Sequence, residues 1–280
     1  MCFGRYALCQ RDEIGRGSYG KVVIAKEQSE RRVAIKIFTE AHEVKHEVAI
    51  LSHLGAHRCI LPVLDHSVEP PAPYMVMPYK HGGTVMHLLR YSEIGIDAQT
   101  GIVAQLADGL SWIHTCNVAH LDVKPANMLW DNRYCSLTIV DFGLSMRLKE
   151  TGEGTPANDI TPRDAVTPNY RPPELWKNLL SNNTQCMAVD VWSFGVTAIE
   201  VYARRLMFGG KQDDRVHRYV TEWVSSWANK RGNSLLVNVP VHVRNVVWFC
   251  CSPDPTRRPR MHNDLVAWGQ SESLVCPMRC

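Results

Sequence analysis

Several separated groups of residues in this chain could act together on a phosphate ester. Asp122, within the segment HLDVKPAN, can accept the proton of an attacking hydroxyl, and Asn127 five positions later can coordinate a metal ion. Asp141, followed by Phe142 and Gly143, comes at the end of a short predicted strand, where its carboxylate is suited to bridging Mg²⁺ to phosphate oxygens. Residues of these types in this order predict phosphoryl transfer.

A glycine-rich segment lies upstream of these groups and could hold the phosphates. Gly15, Gly17, Gly20 and Val22 fit the pattern GxGxxGxV. Glycine allows the backbone to turn tightly and to approach phosphate oxygens closely. Because residues 22–24 read as the continuation of a strand and not as a helix, the segment does not fit a dinucleotide-binding unit.

Lys36 is the candidate for direct contact with the phosphates of a nucleotide. It ends the segment VAIK, sixteen positions after Gly20, on a predicted strand that follows the glycine-rich hairpin. Such a lysine needs an acidic partner to hold it in place. Glu47, with Leu51 and Leu54 at helical spacing behind it, is the first choice, and Glu43 is the alternative.

The elements that must position these residues fall into two parts. Short runs rich in β-branched or aromatic residues predict strands over 6–14, 21–25, 32–38 and 74–79, with one helix over 41–54. Farther along, helices dominate, and apolar residues recur at helical spacing over 102–113, 189–202 and 241–250. This order predicts an α+β chain with a strand-rich N-lobe, a helix-rich C-lobe and a ligand site between them.

Taken together, these motifs resemble the eukaryotic-type protein kinase superfamily, in its serine/threonine branch, from about Tyr6 to Leu265. Later landmarks also match: RPPE over 171–174, DVWSFG over 190–195 and DPTRRP over 254–259. The resemblance implies the bilobal protein kinase fold and a structural ion pair between Arg258 and Glu174. Lys124 and Thr167 resemble the serine/threonine branch and not the tyrosine branch.

The resemblance also implies a full set of site residues, with ATP and Mg²⁺ as cofactors and a protein as substrate. Asp122, Lys124, Lys36 and Asn127 would be catalytic, and Asn127 and Asp141 would hold the metal. Met77 would be the gatekeeper, with Tyr79 and Lys80 in the hinge. The nucleotide would contact Ile14, Gly15, Arg16, Gly17, Ser18, Tyr19, Gly20, Lys21, Val22, Ala34, Lys36, Glu47, Met77, Tyr79 and Leu129.

The chain departs from the family pattern in several places. Leu121 stands where the arginine of HRD is usual, so the chain resembles a non-RD kinase, and Pro78 replaces the acidic residue after the gatekeeper. Glu47 lies only eleven positions after Lys36, which implies a shortened connection. That connection, the Met-Pro-Tyr hinge and the run 60–65 resemble kinases of herpes-type large DNA viruses. The segment 167–171 resembles the proline-directed kinases.

Three other interpretations compete with an active protein kinase. A pseudokinase would keep the fold as a nucleotide-binding or scaffolding module, and the leucine at position 121 could be a first step towards one. A small-molecule kinase of similar fold fits less well, because RPPEL resembles a platform for protein substrates. His42 and His46 fit the zinc motif HExxH, but the helix is short and no third ligand is suggested.

Composition narrows the partners and the compartment. The net charge of +3 is too mild to favour nucleic acid or a membrane surface, and we expect neither as a partner. No secretory signal or apolar stretch long enough to span a bilayer is evident. Ten scattered cysteines without a CxxC pair predict reduced thiols. We expect one intracellular, monomeric kinase domain over 1–280, in cytoplasm or nucleus, with the N-lobe and hinge over 1–80 and the C-lobe over 81–280.

Overall fold

The first part of the chain folds into one antiparallel sheet of six strands. The computed structural model describes residues 2–3, 5–17, 20–70, 72–148, 166–176, 183–208, 213–226, 237 and 239–261. The strands lie in the order β1-β2-β3-β4-β6-β5. Their bounds are β1 Cys2–Phe3, β2 Tyr6–Gly17, β3 Gly20–Glu27, β4 Arg32–Phe38, β5 Asp65–Ser67 and β6 Tyr74–Pro78.

The glycine-rich segment belongs to the sheet and does not form a separate loop. The sequence predicts that the strand beginning at residue 6 stops at residue 14. In the structure this strand is β2, and it continues to Gly17 because it stays paired with β3 as far as the pair Gly17–Gly20. At Gly20 the backbone φ is +136°, and a Cβ there would lie 2.0 Å from the carbonyl oxygen of Ile37. Glycine is therefore required at the start of β3.

One helix, α1 (Ala41–Leu54), packs against this sheet and coincides with its predicted bounds. Its start is stabilised by a capping box, in which the side chain of Glu43 accepts a hydrogen bond from the backbone N–H of Glu40. It ends at Gly55, whose φ of +65° suits glycine. The buried face includes Val44, Ile50 and Glu47, so one carboxylate is carried into the interior.

The second part of the chain is mainly helical. Its helices are α2 Val85–Tyr91, α3 Ile96–Thr115, α4 Pro173–Trp176, α5 Asn183–Ala203, α6 Asp213–Ser226 and α7 Val241–Cys250. Four short strands lie among them: β7 Val118–Ala119, β8 Met128–Asp131, β9 Ser136–Ile139 and β10 Met146–Arg147. β7 pairs with β10, and β8 pairs with β9. The α+β class with a strand-rich and a helix-rich lobe is therefore confirmed.

Two apolar clusters hold these layers together. The larger one runs from the inner face of the sheet, through α1, into α3 and α5, so it joins both lobes. The smaller one covers the outer face of the sheet and includes Phe3, Tyr6 and Val33. Lys36 projects from β4 towards the larger cluster, because side chains alternate between the two faces of a strand.

The apolar stretch of α5 corrects one expectation from the sequence. Its window Cys186–Ala203 is long and apolar enough to cross a membrane by length and composition, so the prediction that no stretch is long enough was wrong. However, 89% of that window is buried inside the fold. The apolar run is therefore the central helix of the C-lobe core.

Six cysteines are free thiols: Cys59, Cys116, Cys135, Cys186, Cys250 and Cys251. Burial raises the pKa of Cys186 to about 11 and that of Cys251 to about 12, so both thiols are neutral at physiological pH.

Candidate active site

Lys36 and two carboxylates meet where the sheet approaches the second lobe. The Nζ atom of Lys36 lies 2.7 Å from Oε2 of Glu47 and 2.7 Å from Oδ1 of Asp141. Glu47 comes from α1, Lys36 from β4 and Asp141 from the segment after β9, so three elements contribute one group each. The other oxygen of Glu47, Oε1, accepts the backbone N–H of Phe142 at 3.2 Å. The partner of Lys36 is thus Glu47, and Glu43 serves as a helix cap.

Burial and mutual charge act in opposite directions on the pKa values of this cluster. Burial alone would lower the pKa of Lys36, but the two carboxylates raise it well above its ordinary value. Burial alone would raise the pKa of Asp141, but the charge and hydrogen bond of Lys36 hold it below its ordinary value. Burial raises the pKa of Glu47, the charge of Asp141 raises it further, and together they outweigh the lowering by Lys36. One ammonium group here faces two carboxylates, an arrangement that a further cation could stabilise.

A second cluster forms around Asp122 in the loop between β7 and β8. Its Oδ2 accepts hydrogen bonds from Nδ2 of Asn127 at 2.7 Å and from Nζ of Lys124 at 2.7 Å. Its Oδ1 accepts the hydroxyl of Thr167 at 2.6 Å, and that hydroxyl also receives a bond from Lys124 at 2.8 Å. Asp122 thus already binds an alcohol hydroxyl, the kind of group from which it would accept a proton.

A buried aspartate of α5 holds the backbone of this loop. The carboxylate of Asp190 accepts the N–H groups of His120 and Leu121 at 2.7 and 2.8 Å, and it also contacts Nε2 of His114 at 2.9 Å. Leu121 is buried, with only 1% of its surface exposed, and its φ is +63°. Because leucine rarely adopts positive φ, the bonds from Asp190 are needed to maintain this strained conformation.

The two clusters are linked through neighbouring strands. Met128 of β8 lies opposite Ile139 of β9, and the N–H of Val140 donates to the carbonyl of Asn127 at 3.0 Å. This link places Asn127 beside the backbone that leads to Asp141. The backbone of Asp141 has a φ of +67°, so it turns sharply just after the strand.

The donor atoms of these residues fit Mg²⁺, which prefers carboxylate and carbonyl oxygens. One oxygen of Asp141 is bound to Lys36, which leaves Oδ2 as the ligand atom it can offer. The amide nitrogen of Asn127 donates twice, to the carbonyl and to Oδ2 of Asp122, so its Oδ1 faces the other way. The two carboxylates beside Lys36 also favour a cation at this place.

Apolar residues predicted to contact a base come from both lobes. Ala34 and Met77 lie opposite each other on β4 and β6, and both are buried. Val22 on β3 and Leu129 on β8 are half-buried. Three other predicted nucleotide contacts are also half-buried: Gly15, Lys21 and Tyr79. Ile14 and Arg16 are exposed at the sheet edge. Ser18 and Tyr19 lie outside the described residues.

Residues 166–171 lie next to Asp122, and we call this segment the shelf. Arg171 donates from Nε and Nη2 to the carbonyl oxygen of Val166 at 3.2 and 3.0 Å. The hydroxyl of Tyr170 donates to Glu200 at 2.7 Å. Farther along, Arg258 forms the predicted pair with Glu174 through two bonds of 2.6 and 2.8 Å, both groups being buried.

Sequence reasoning missed two of these arrangements. Asp190 was predicted only as part of a buried helix, and nothing in its local pattern indicates that it binds the backbone of a loop seventy positions earlier. Glu200 was not singled out, although an isolated acidic residue in the apolar run TAIEVYA is a usable signal for a buried carboxylate. Burial raises the pKa of Glu200 to about 7 despite hydrogen bonds from Tyr170 and the N–H of Met207.

Comparison with known proteins identifies the family. Residues 9–266 match the family model described as Protein kinase domain. The chain is 31% identical over 205 residues to a probable CTD kinase subunit alpha homolog of Encephalitozoon cuniculi, covering 71% of this chain and 58% of that protein. It is 32% identical over 229 residues to mitogen-activated protein kinase 5 of Arabidopsis thaliana, covering 76% and 57%.

The fold comparison agrees. A crystal structure of Rad53 1-466 in complex with AMP-PNP superposes with a TM-score of 0.73 at 22% identity, covering 94% of this chain and 65% of that one. The match spans less than two thirds of each of these three proteins. The predicted superfamily and bilobal kinase fold are confirmed, and the chain belongs to the protein kinase domain family.

Proposed function

We propose that this chain transfers the γ-phosphate of ATP to serine or threonine hydroxyls of protein substrates. The observation that carries the proposal is the pairing of Lys36 with both Glu47 and Asp141 at 2.7 Å. A pseudokinase has no need to keep Lys36 and Glu47 buried beside a second carboxylate, because burying charged groups is costly unless they are used or fully paired. The kinase relatives at about 30% identity support the same activity.

Different residues bind the phosphates, accept the proton of the substrate hydroxyl and stabilise the charge of the transferred group. Lys36, held by Glu47, binds the phosphates of ATP and fixes their position. Asp122 orients the substrate hydroxyl and accepts its proton, as it accepts the hydroxyl of Thr167 at 2.6 Å. Lys124, 2.7 Å from Asp122, stabilises negative charge on the group in transit.

Asp141 and Asn127 would hold Mg²⁺, which neutralises phosphate charge when bound. The part of the protein itself is to keep the two ligands oriented. Lys36 fixes Asp141, and Asp122 fixes the amide of Asn127. Gly20 keeps the hairpin close to β4, so that the backbone can approach the phosphates.

The test of this function is Mg²⁺-dependent transfer of labelled γ-phosphate to a generic protein such as myelin basic protein. We expect phosphoserine or phosphothreonine in the product. The variants Lys36→Met, Asp122→Asn and Asp141→Asn should each lower kcat by at least a hundredfold, since each removes a charge that acts in the transition state. Their circular dichroism should match that of the wild type. If wild type and Asp141→Asn transfer equally little phosphate while both bind ATP, the pseudokinase interpretation is correct.

Substrate preference should follow the shelf formed by 166–171. The carbonyl of Val166 is engaged by Arg171, so it is not available to accept the N–H of a substrate residue, and proline, which has no N–H, loses nothing there. By the family resemblance, Thr84 and Ala126 stand where arginine-directed kinases have acidic residues. The hydroxyl of Thr84 caps α2 by accepting the N–H of His87 at 3.1 Å.

We therefore propose a preference for proline after the phosphorylated residue and none for arginine before it. A positional-scanning peptide array measures both. Enrichment of proline directly after the target is the expected result, and dominance of upstream arginine would contradict it. We further propose that the enzyme acts as an intracellular monomer, with no nucleic-acid or membrane partner, and the resemblance to viral kinases remains a prediction.

A further inference from the structure

We propose that His57, Cys59 and Asp108 form a zinc-binding site remote from the catalytic residues. The three side chains meet where the loop after α1 packs on α3, and their donor atoms all lie within 4.8 Å of one another. A nitrogen, a sulfur and a carboxylate oxygen are the ligands that zinc takes in proteins. The proposal does not depend on the proposed kinase activity.

Two of the three separations between the donor atoms are close to those around a tetrahedral zinc ion. Oδ2 of Asp108 lies 3.5 Å from Nε2 of His57 and 3.6 Å from Sγ of Cys59. With zinc bonds of about 2.0 Å to nitrogen or oxygen and about 2.3 Å to sulfur, tetrahedral angles give ligand separations of roughly 3.3 and 3.5 Å. Asp108 thus lies close to the required distance from both other ligands, and the donor atoms of His57 and Cys59 lie within 4.8 Å of each other.

The elements that carry the ligands are rigid. Asp108 lies within the twenty-residue helix α3. The carbonyl of Cys59 accepts the N–H of Ile139 at 2.7 Å, and the carbonyl of His57 accepts the N–H of Ile60 at 3.0 Å. The ring of His57 stacks on Trp112 of α3, with ring centroids 5.3 Å apart and planes at 10°. Groups that orient the ligands in this way are typical of protein metal sites.

Access is from the side of Asp108. The thiol of Cys59 is fully buried, whereas the side chains of His57 and Asp108 are 17% and 30% exposed. Three protein ligands leave one tetrahedral position open, which water would fill on the exposed side. Such an open site binds zinc more weakly than a closed structural site with four protein ligands.

Three existing contacts must change when zinc binds. The thiol of Cys59 donates to Oδ2 of Asp108 at 3.6 Å, and its proton is released to solvent as the thiolate binds the metal. Arg58, whose side chain is 74% exposed, donates from Nε to the same Oδ2 of Asp108 at 2.9 Å and would swing into solvent. The N–H of Cys59 donates to Nδ1 of His57 at 3.3 Å, a long bond that is lost when Nε2 binds the metal and the ring proton moves to Nδ1. Arg58 is therefore a competitor of zinc, and its removal should tighten binding.

Co²⁺ substitution gives the first test, because a cobalt ion bound to thiolate shows a charge-transfer band in the near ultraviolet. The full chain is reduced, freed of metal with a chelator and titrated with Co²⁺, and then Zn²⁺ is added to displace it. We expect one equivalent of Co²⁺ to produce the band and Zn²⁺ to abolish it. Cys59→Ser should lose the band, whereas the exposed control Cys135→Ser should keep it.

Zinc affinity in variants of Asp108 and Arg58 distinguishes a metal site from a surface cluster that binds no metal. Asp108→Asn should weaken Zn²⁺ binding at least tenfold in competition with a chromophoric chelator. Arg58→Gln should strengthen it severalfold, whereas Arg133→Gln, which removes an exposed arginine elsewhere, should leave it unchanged. Zn²⁺ should also raise the melting temperature of the wild type but not of Cys59→Ser, since a ligand stabilises the state that binds it.

Each alternative result counts against the site. A cobalt band that persists in Cys59→Ser would place the metal on other cysteines and overturn the proposal. Absence of any band in folded wild type would do the same. If Cys59→Ser does not fold, the decision passes to Arg58→Gln and Asp108→Asn, and unchanged zinc affinity in both would overturn it.

Discussion

At the scale of single residues, the main feature is one cation shared by two carboxylates. Lys36 bonds to Glu47 and Asp141 at the same distance of 2.7 Å, so it links α1 to the segment after β9. Charge-assisted bonds of this kind are stronger than bonds between neutral groups. The position of Lys36 therefore depends on Glu47.

The two glutamates of α1 should consequently behave differently when each loses its charge. Glu47→Gln removes the ion pair that holds Lys36, and we expect kcat/KM to fall by about ten- to a hundredfold, the worth of a charged hydrogen bond. Glu43→Gln should have little effect, because Glu43 serves in the capping box, where glutamine also serves. Steady-state kinetics with a peptide substrate measures both, and equal losses would contradict this assignment.

The sequence predicts residues well where the chemistry is local. The pattern HLDVKPAN brings Asp122, Lys124 and Asn127 within eight positions, so their contact needs little tertiary information. The choice of Glu47 over Glu43 followed from helical spacing, since Glu47 shares the buried face with Leu51 and Leu54. The bond from Thr167 to Asp122 joins residues 45 positions apart, and no local pattern predicts its geometry.

At the scale of elements, α5 holds the loop between β7 and β8 that carries Asp122. Asp190 binds two consecutive backbone N–H groups, at His120 and Leu121, and leaves the side chain of Leu121 buried. In kinases with HRD, the arginine at this position receives a phosphate on the activation segment. A buried leucine offers neither charge nor donor for that purpose.

We therefore expect activity without phosphorylation of the activation segment. This segment, from Asp141 to Glu174, has the candidate acceptors Thr151, Thr155, Thr161 and Thr167, of which the first three lie outside the described residues. Arg163, one of two arginines that could replace the missing cation, also lies outside them. Arg147, the other, is exposed on β10. Ordering an exposed side chain costs conformational entropy, which weakens such a substitute.

The test measures kinase activity of protein made in a bacterial host that lacks kinases able to phosphorylate the activation segment. Three samples are compared: the wild type before phosphatase treatment, the wild type after it, and the variant Thr161→Ala. All three samples should retain most of the wild-type activity towards the same peptide. Thr167→Ala serves as the contrasting variant, because it removes a hydroxyl bonded to Asp122 and Lys124 and should lower activity. Loss of most activity after phosphatase treatment would mean that another cation has replaced the arginine.

At the scale of the whole molecule, the order of strands and helices was predictable from the sequence, but the contacts between them were not. Strand-rich and helix-rich parts follow from periodicity, because periods of 2 and 3.6 residues differ clearly along the chain. The length of β2 was underestimated, since the glycines pair across the hairpin in a way that propensity does not indicate. α5 was not recognised as apolar enough to span a membrane, because its polar residues Asp190, Ser193 and Glu200 interrupt the run.

Those polar residues connect the core of the C-lobe to the site, and Glu200 makes stability depend on pH. Burial raises its pKa to about 7 from an ordinary value of 4.5. A raised carboxyl pKa means that the folded state holds a proton that the unfolded state releases, so the contribution of Glu200 to stability is fully present below pH 4.5 and is lost as pH rises towards 7. The loss amounts to about 3 kcal/mol over this interval.

Glu200→Gln should remove this dependence, because glutamine mimics the protonated acid and can keep the contacts with Tyr170 and the N–H of Met207. Urea unfolding of both proteins between pH 5 and pH 8 gives the free energy of unfolding at each pH. We expect similar values at the acid end and an advantage for Glu200→Gln that grows as the pH rises to about 7 and then levels off. Glu69→Gln, at an exposed position, should show no such trend, and parallel curves for wild type and Glu200→Gln would show that Glu200 is ionised throughout.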